Sequence, residues 1–582
     1  MRFPRRFVTA SLVLPLLFLP AAPVFAQRSA VEARHAMVAS AHVLASQAGV
    51  EILQQGGNAV DAAIATGLAL AVVYPWAGPL GGGGFMLVHL ADGRQIAIDY
   101  RETAPAAATR EMYLTPDGAL RQGHDSSTVG WRASGVPGNI AGFAHALAHY
   151  GSGKVTWAEL CEPARRLAAD GHLVSQTTAL GLRKAAPLLS QFAETKAVFL
   201  KNGEFYASGE RWVQADLGAT FARLQAHGPR EFYEGETARL IANGMAQHGG
   251  LITLADLAGY RPVERTPLRG TYRGLEILTM PPPSSGGIAL LQMLQMLEPH
   301  DVGALGHNSA AKYHLFAEVM KRAFRDRAEY LGDPDFVHVP VNQLLDPAYA
   351  HKRMADFSPD RATPAAAVQP GLGKFVAAAR AESTETTHFS VVDAEGNAVA
   401  NTYTINGGFG SGVTIPGTGI LMNNEMDDFT SKPGTPNMFG LIQSEANAIA
   451  PHKRPLSSMT PTIVLQKGQP LLVTGSPGGP TIINTVLQVI TNVIDHQMPV
   501  MAAVEAPRIH NQWMPDIVTF ERYGMSPDTH AILTALGHTI PERKSYEGAT
   551  QGDAETIFID PATGLRHGAA DPRKGDSAAV GY

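Results

Sequence analysis

Cysteine is almost absent from this chain, since Cys161 is the only one among 582 residues. No internal disulfide can therefore form. The surrounding stretch, "WAELCEPARRLA", is typical of a small apolar residue on an amphipathic helix rather than of a reactive thiol. The sequence also lacks an HExxH or CxxC pair of the kind that binds metal, and it has no GxxxxGK[ST] loop or strand-following GxGxxG loop that would cradle phosphate. We therefore expect neither a metal nor a cofactor.

Charge of one sign and long apolar runs are also scarce. The net charge is -6 without a long basic run, which argues against nucleic acid as a partner. After the first 26 residues no run reaches about 18 uninterrupted apolar residues, so we expect no membrane segment in the mature chain. Hydrophobic residues make up 45% and charged residues 17%, which is enough apolar material for a large folded protein.

The first residues have the pattern of an export signal. Arginines at positions 2, 5 and 6 precede the apolar run "FVTASLVLPLLFLPAAPVFA", which ends in the small-residue pattern Val24-Phe25-Ala26. A basic start, a short apolar core and such an ending are typical of a secretory signal peptide. We predict a signal peptide over residues 1–26, a mature chain from Gln27, and a periplasmic location.

The mature chain divides into two parts by its pattern. Residues 35–355 are predicted to be mostly helical, with one early strand pair, "GFMLVHL" and "QIAIDYR", around the turn at Asp92-Gly93. Residues 361–380, rich in Ala, Pro and Gly, have the composition of a linker. From residue 387 onward the pattern favours strands.

Two adjacent threonines, Thr386 and Thr387, stand where the linker ends and the strands begin. Both suit a strand simply because threonine is β-branched. However, "THFSVVD" and "AVANTYTIN" form a predicted hairpin centred near Glu395-Gly396, which places Thr386 opposite position 405 within one residue. Thr404 and Asn406 are then its neighbours, and a buried strand does not ordinarily have so many polar side chains together.

A second predicted hairpin, "TPTIVLQ" and "PLLVTG", leads through "SPGGP" into the helix "TIINTVLQVITNVID". The amides of Gly478 and Gly479 at the start of that helix could form an anion-binding nest. An equally good interpretation is a tight strand-to-helix turn. Beside a nucleophile, such amides would serve as an oxyanion hole.

Together these motifs resemble the bacterial γ-glutamyltranspeptidases (glutathione hydrolases), which belong to the N-terminal-nucleophile hydrolases. The resemblance covers the whole mature chain, and the motifs stand in the family's order. They are "GGNAVDAAIATGLALAVVYP", "GGGGFML", "DYRETAP", "SGVPG", "MPPPSSGG", "TTHFSVVD", "NNEMDDF", "KRPLSSMTPTIV", "VTGSPGG" and the terminal "DPRKGDSAAVGY".

The resemblance implies an α/β fold of four αββα layers, built by two chains cut from one precursor. The cut would fall between Glu385 and Thr386, giving a large chain of residues 27–385 and a small catalytic chain of residues 386–582. The chemistry is reasonable, because a threonine hydroxyl needs a base and a freed α-amine supplies one on the same residue. Such an amine has a pKa of roughly 8.

The resemblance also implies roles for other residues. Thr404 would orient the Thr386 amine, and Gly478 and Gly479 would hold the oxyanion. The substrates would be glutathione and other γ-glutamyl compounds, with water, amino acids or peptides as acceptors. The substrate's α-carboxylate would be bound by Arg101, Ser457 and Ser458, and its α-ammonium by Asn406, Glu425 and Asp428.

Each of these positions also has an ordinary structural interpretation. Arg101-Glu102 could be a surface ion pair, "MDDF" a solvated turn and "SSM" a strand cap. Glu425 departs from many related enzymes, which carry Gln there, and this affects the expected substrate preference. Residues 430–443 resemble a lid loop that some members have.

Two other functions remain as alternatives. A glutaryl-cephalosporin acylase of the same fold would act on a substrate without the α-amine. A periplasmic solute-binding protein would fit the export signal and the size, but it would neither cleave itself nor hydrolyse anything.

Overall fold

The structure is a computed structural model that describes residues 28–373, 386–521, 523–541 and 551–582. The predicted signal peptide, the last residues of the predicted linker and Glu385 lie outside the described residues. Thr386 is the first described residue after the gap.

Two sheets of seven strands each dominate the described residues. The strands, in chain order, are Val31–Ala33 (β1), Met37–Ser40 (β2), Gly83–His89 (β3), Gln95–Tyr100 (β4), His172–Leu173 (β5), Leu200–Lys201 (β6), Glu204–Phe205 (β7), Arg211–Trp212 (β8), Val263–Arg265 (β9), Leu268–Tyr272 (β10), Leu275–Thr279 (β11), Thr387–Val392 (β12), Ala398–Thr404 (β13), Thr462–Gln466 (β14), Gln469–Thr474 (β15), Ile509–His510 (β16), Thr519–Phe520 (β17), Glu555–Ile559 (β18), Arg566–Ala570 (β19) and Ala578–Gly581 (β20).

The first sheet has the order β20-β2-β12-β13-β3-β4-β9, and the second has the order β1-β19-β18-β15-β14-β11-β10. Neighbouring strands are antiparallel throughout both sheets. Each sheet therefore combines strands that precede residue 386 with strands that follow it.

Helices cover the outer faces of the two sheets. The α-helices are Val43–Gln54 (α1), Ala59–Val73 (α2), Asn139–Tyr150 (α3), Trp157–Ala169 (α4), Gln176–Lys184 (α5), Ala186–Leu189 (α6), Ala193–Phe199 (α7), Ala215–His227 (α8), Glu231–Glu234 (α9), Glu236–Gln247 (α10), Leu254–Gly259 (α11), Gly286–Leu297 (α12), Ala310–Tyr330 (α13), Val341–Leu344 (α14), Pro347–Arg353 (α15), Thr481–Ile494 (α16), Val500–Glu505 (α17) and Pro527–Ala535 (α18). Short 3-10 turns lie at Gly123–Asp125, Trp131–Ala133, Ala365–Ala367, Glu425–Asp428, Glu445–Asn447 and Pro572–Lys574.

The alternation of side chains along the strands shows the layering. In β3, Met86 packs into the core shared with α1 and α2, whereas Phe85 packs into the core between the two sheets. In β14, Ile463 faces that same inner core and Val464 faces α12, α13 and α16. Side chains of a strand point alternately to its two faces, so the order is helices, sheet, sheet, helices. The predicted four-layered αββα fold is confirmed.

The Ala-rich stretch before β3 forms the buried helix α2. Asn58 accepts hydrogen bonds from the amides of Val60 and Asp61, and the Asp61 side chain accepts one from the Asn58 amide, which closes a capping box. Every residue of α2 is buried. A helix that is apolar nearly all round has to be covered on all sides, and the β-sheet and neighbouring helices provide that cover.

The hairpin that begins at Thr387 has the predicted register. Thr387 pairs with Tyr403 and Val392 with Ala398. Continuing this register by one residue puts Thr386 opposite Thr404, within the predicted span. The hairpin lies in the middle of the first sheet, between β2 and β3.

The prediction of a single strand pair in residues 35–355 was wrong. The same region also contributes β2 and the run β9 to β11, which belong to the two large sheets, and the short strands β5 to β8, which form two small sheets of their own. These strands are short, and in β10 residues such as Arg269 and Thr271 are exposed, so their apolar alternation is weak.

Among the described residues, none of the helices combines the length and the apolar character needed to cross a membrane.

Candidate active site

One cavity collects most of the residues predicted to act on substrate. Nine of the ten predicted site residues within the described part of the chain line it, and Gly478 directly precedes one of them. The lining consists of Arg101, Arg327, Thr386, Thr404, Asn406, Glu425, Asp428, Phe439, Leu441, Ser457, Ser458, Met459, Gly479 and Ile482. These residues come together because most of them lie at or next to strand ends: the ends of β4, β13 and β15 and the starts of β12 and β14 lie close together.

Thr386 and Thr404 both line this cavity. Their side chains are 4% and 3% exposed. The Thr404 hydroxyl oxygen accepts a hydrogen bond of 2.8 Å from the amide of Asn406, which fixes its rotamer. A Cβ on Gly82 would come within 1.9 Å of the Thr404 carbonyl oxygen, so only glycine lets β3 approach this strand end.

Gly478 and Gly479 form the turn that enters α16. Their φ angles of 129° and 53° lie in the region that favours glycine. Their carbonyl oxygens accept hydrogen bonds from Thr481 and Ile482, while none of the described residues accepts a hydrogen bond from their amides. The turn thus leaves two N–H donors beside the cavity that contains Thr386.

Arg101 follows β4 directly and is 1% exposed. Its Nη1 contacts Glu425 and its Nη2 contacts Asp428, and both carboxylates belong to the 3-10 turn Glu425–Asp428. Its Nε also donates to the Pro455 carbonyl at 3.3 Å. Although burial acts against the charge, the two carboxylates raise the pKa of Arg101 above its ordinary value. The predicted carboxylate site and ammonium site therefore touch each other.

Carboxylates outnumber guanidinium groups around Arg101. Glu102 is fully buried, with its Oε2 3.8 Å from Arg101 Nη1, and its carboxylate oxygens find no hydrogen-bond partner among the described residues. Burial raises the pKa of Glu102 to about 7, and it raises the pKa of Glu425 and Asp428 as well. The part of the pocket around Arg101 is consequently rich in carboxylates, which favours a ligand that brings a cation there.

Ser457, Ser458 and Asn406 complete the ring of polar groups. The Ser457 hydroxyl accepts from the Met459 amide at 3.1 Å, and the Ser458 hydroxyl accepts from Arg327 at 3.1 Å. Asn406 has a φ of 74° and donates from its side chain to the Asn424 carbonyl at 2.9 Å. This leaves its side-chain oxygen for the cavity.

The predicted lid segment lies over the site. Phe439 and Leu441 line the cavity, and the Asn437 side chain donates to Asp428 at 3.2 Å. The Met438 amide donates to Asp427 at 2.8 Å. Residues of the segment 430–443 thus contact the Asp428 side of the pocket, and their role as a lid stays a prediction.

Sequence reasoning missed Arg327 and treated Glu102 only as part of a surface pair. Both are charged residues beside other charged residues, "RET" and "FRDRAEY", which is also the pattern of a solvated face. Burial, the property that distinguishes them, is not visible in one sequence.

Replacing Glu102 by glutamine should remove part of the pH dependence of stability. Because the folded protein retains a proton on Glu102 up to a pH of about 7, and the unfolded chain loses it near 4.5, the wild type loses stability as pH rises through this window. Glutamine has no proton to lose. The free energy of unfolding of Glu102→Gln minus that of wild type should therefore increase by on the order of 2 kcal/mol between about pH 5 and about pH 8. Urea unfolding of both proteins measures this difference, and a constant difference would contradict the buried-carboxyl assignment.

A family model described as γ-glutamyltranspeptidase matches residues 45–581. The chain belongs to the γ-glutamyltranspeptidase family. This confirms the family predicted from the motifs, and the match extends over nearly the whole described chain.

Relatives and solved structures agree with this membership. The glutathione hydrolase proenzyme of Escherichia coli (strain K12) is 47% identical over 553 residues, which cover 95% of this chain and 93% of that protein. The acylase ACY 1 proenzyme of Pseudomonas sp. (strain SE83) is 41% identical over 508 residues, or 87% of each chain. A crystal structure of cephalosporin acylase from Bacillus halodurans superposes with a TM-score of 0.82 at 28% identity, covering 97% of this chain and 99% of that one. Members of this family are enzymes, so the solute-binding alternative is wrong.

Proposed function

We propose that this chain is a γ-glutamyltransferase that hydrolyses glutathione and related γ-glutamyl amides, or passes their glutamyl group to an amino acid or a peptide. The observation that supports it best is the pocket that holds Thr386, the guanidinium of Arg101 and the carboxylates of Glu425 and Asp428. A γ-glutamyl group ends in an α-carboxylate and an α-ammonium. These two charges match a guanidinium and a carboxylate that already contact each other.

Substrate binding would exchange one set of ion pairs for another. The α-carboxylate takes the place of an internal carboxylate on Arg101, with Ser457 and Ser458 as further donors. The α-ammonium enters between Asp428, Glu425 and the Asn406 side-chain oxygen. Arg101 and Asp428 would each keep a partner of opposite charge after the exchange, which limits the desolvation cost.

The chemistry then follows from the positions of Thr386 and the two glycines. The Thr386 hydroxyl oxygen attacks the γ-carbonyl carbon while the Thr386 α-amine takes the hydroxyl proton. Gly478 and Gly479 donate their amides to the resulting oxyanion. The C–N bond breaks, the leaving amine receives the proton, and a γ-glutamyl ester remains on Thr386. Water or an acceptor amine then attacks the ester and restores the hydroxyl.

Maturation supplies the α-amine that this mechanism needs. In our proposal residues 1–26 are a signal peptide that directs the chain to the periplasm, and the remaining precursor cuts itself between Glu385 and Thr386. Residues 27–385 and 386–582 stay together as the two chains of the enzyme. The names of the relatives support a cut, because the Escherichia coli glutathione hydrolase and the Pseudomonas acylase reported above are both called proenzymes.

An acylase acting on glutaryl amides is the second candidate, because acylases are found among both the relatives and the solved structures. A glutaryl group keeps the carboxylate for Arg101 but has no cation for Glu425 and Asp428. Binding it would displace a carboxylate from Arg101 without offering a new partner, which costs free energy in a buried site. The pocket therefore favours the γ-glutamyl group.

The direct test is to incubate the purified protein with glutathione and to measure released glutamate, with and without glycylglycine as acceptor. We expect glutamate without acceptor and γ-glutamyl-glycylglycine with it, while glutaryl-7-aminocephalosporanic acid reacts at least about tenfold more slowly. A denaturing gel should show two fragments, the smaller beginning Thr-Thr-His-Phe. If the processed protein leaves glutathione intact and cleaves the glutaryl compound, the chain is an acylase and the proposed function is wrong.

A further inference from the structure

We propose that Arg327 is a positioning residue of the α-carboxylate site, which it serves by holding Ser458 so that the serine hydroxyl donates to the substrate. This inference rests on the proposed function, since it concerns how the γ-glutamyl group is recognised. Arg327 lies on α13, is 2% exposed, and lines the same cavity as Thr386 and Arg101.

The hydrogen bonds of Arg327 go to two serines. Its Nε donates to the Ser285 hydroxyl at 2.8 Å, and its Nη2 donates to the Ser458 hydroxyl at 3.1 Å. A guanidinium has donors only, so both hydroxyl oxygens are acceptors and both hydroxyl protons must point elsewhere. The Ser285 proton goes to the Ser457 carbonyl at 2.5 Å. None of the described residues accepts the Ser458 proton, which leaves it for a ligand in the cavity.

The serines of "PPPSSGG" fix the segment that carries Ser457 and Ser458. The Ser285 amide donates to the Ser457 carbonyl at 2.8 Å, and the Ser457 amide donates to the Pro283 carbonyl at 3.0 Å. The Ser284 hydroxyl donates to the Met459 carbonyl at 2.5 Å. Arg327 therefore bonds to both segments: to "PPPSSGG" through Ser285, and to the segment of Ser457 and Ser458 through Ser458.

Arg327 also makes no direct ion pair with the described residues, and Asp428 is the carboxylate whose charge acts on it from beyond contact distance. Within the described residues no Asp or Glu comes within ion-pair distance of it, and its Nη1 has no hydrogen-bond partner. Its neighbour on the same helix, Arg325, pairs with Glu329 at 2.7 Å. A buried cation with no carboxylate in direct contact is costly, and an anionic ligand group beside it would lower that cost. Burial lowers the pKa of Arg327 only to about 10, so it stays charged at neutral pH.

These observations separate Arg327 from Arg101. Arg101 contacts two internal carboxylates and exchanges them for the substrate's carboxylate. Arg327 does not exchange partners; it orients a donor and adds positive charge on the Ser458 side. The carboxylate is then held by a guanidinium on one side and by an aligned hydroxyl on the other.

The test compares Arg327→Met with wild type on γ-glutamyl-p-nitroanilide, using two amides as competitive inhibitors. Glutaric acid monoamide keeps the carboxylate and lacks the ammonium, whereas 4-aminobutanamide keeps the ammonium and lacks the carboxylate. We expect Arg327→Met to raise the KM and the inhibition constant of glutaric acid monoamide by at least about tenfold. The kcat should stay within about twofold, because Thr386 is untouched. The inhibition constant of 4-aminobutanamide should not rise, because Arg327 makes no hydrogen bond to the ammonium site and the loss of its positive charge leaves Asp428 at least as attractive to a cation.

Further variants make the result specific. Ser458→Ala should give the same pattern, and the double variant should be no worse than the poorer single variant, because Arg327 acts through Ser458. Arg327→Lys should recover only part of the loss, since an ammonium is a point charge without the fixed fork of donors. Arg325→Met is the matched control on the same helix and should leave KM and both inhibition constants unchanged.

The possible outcomes are distinct. Equal losses for both inhibitors, or a lower kcat with an unchanged KM, would reduce Arg327 to a structural residue and overturn the inference. Additive losses in the double variant would exclude the route through Ser458. If Arg327→Met fails to mature on a denaturing gel, Ser458→Ala and Arg327→Lys decide by the same constants. A wild type that does not act on the anilide at all would instead contradict the proposed function.

Discussion

Thr386→Ala should remain a single chain and lose γ-glutamyl hydrolysis by at least about a thousandfold. In our mechanism the same hydroxyl oxygen attacks twice, first the carbonyl of Glu385 and later the substrate, so its removal stops both maturation and turnover. A denaturing gel and an assay on γ-glutamyl-p-nitroanilide measure the two effects. Thr386→Ser keeps a hydroxyl and should mature, although more slowly.

The adjacent threonine is the matched control. Thr387 is fully buried in β12, and its hydroxyl has no hydrogen-bond partner among the described residues. Replacing it by valine keeps the shape and removes an unpaired polar group, so stability should not fall. Thr387→Val should therefore mature and turn over like wild type. A Thr386→Ala chain that still splits before residue 386 would show that another group performs the cut.

Asp428→Asn should change two substrates in different directions. The carboxylate contributes a charge-assisted bond to the α-ammonium worth roughly 1.5–3 kcal/mol, so kcat/KM for γ-glutamyl-p-nitroanilide should fall at least about tenfold. On the glutaryl analogue the loss should be small, or activity should rise, because no carboxylate is left facing an uncharged chain. Arg101 keeps Glu425 as a partner in this variant, so self-cleavage should continue.

Assays of wild type and Asp428→Asn on both anilides give the answer. Equal losses on the two would mean that Asp428 acts through folding of the 3-10 turn, and Glu425 would be the next candidate for the ammonium. Glu425→Gln is the natural companion variant, because its Oε2 has no hydrogen-bond partner among the described residues.

Much of the frame around Thr386 could be predicted from the sequence. The hairpin at Thr387 has strong alternation and an Asp-to-Asn turn, so its register could be counted to within one residue and the structure confirms it. The strand pair at Asp92-Gly93 and the helix Ala310–Tyr330 have equally clear periods. The local hydrophobic pattern was sufficient to predict these segments, because their secondary structure is decided by contacts between residues close in sequence.

The parts that were missed depend on contacts between distant segments. The strands β9 to β11 are short and partly exposed, and they become strands because β4 and β14 offer free edges. The α13 residues Arg322 and Arg327 are buried, although a charged helix usually faces solvent. Their burial depends on Glu318 in one case and on two serines in the other, and neither partner can be read from the helix itself.

The strand order of the two sheets determines what the bond before Thr386 does for the protein. In the first sheet β12 and β13 lie between β2 and β3, and in the second sheet β14 lies beside β11. Cutting the chain there would remove one covalent link and no strand pairing, so neither fragment could leave without dismantling the centre of a sheet. An uncut chain would be needed only while the precursor folds and its strands first pair. Afterwards the two fragments would stay associated, because strands of each fragment pair with strands of the other within both sheets. No molecule could exchange a fragment with another while it stayed folded.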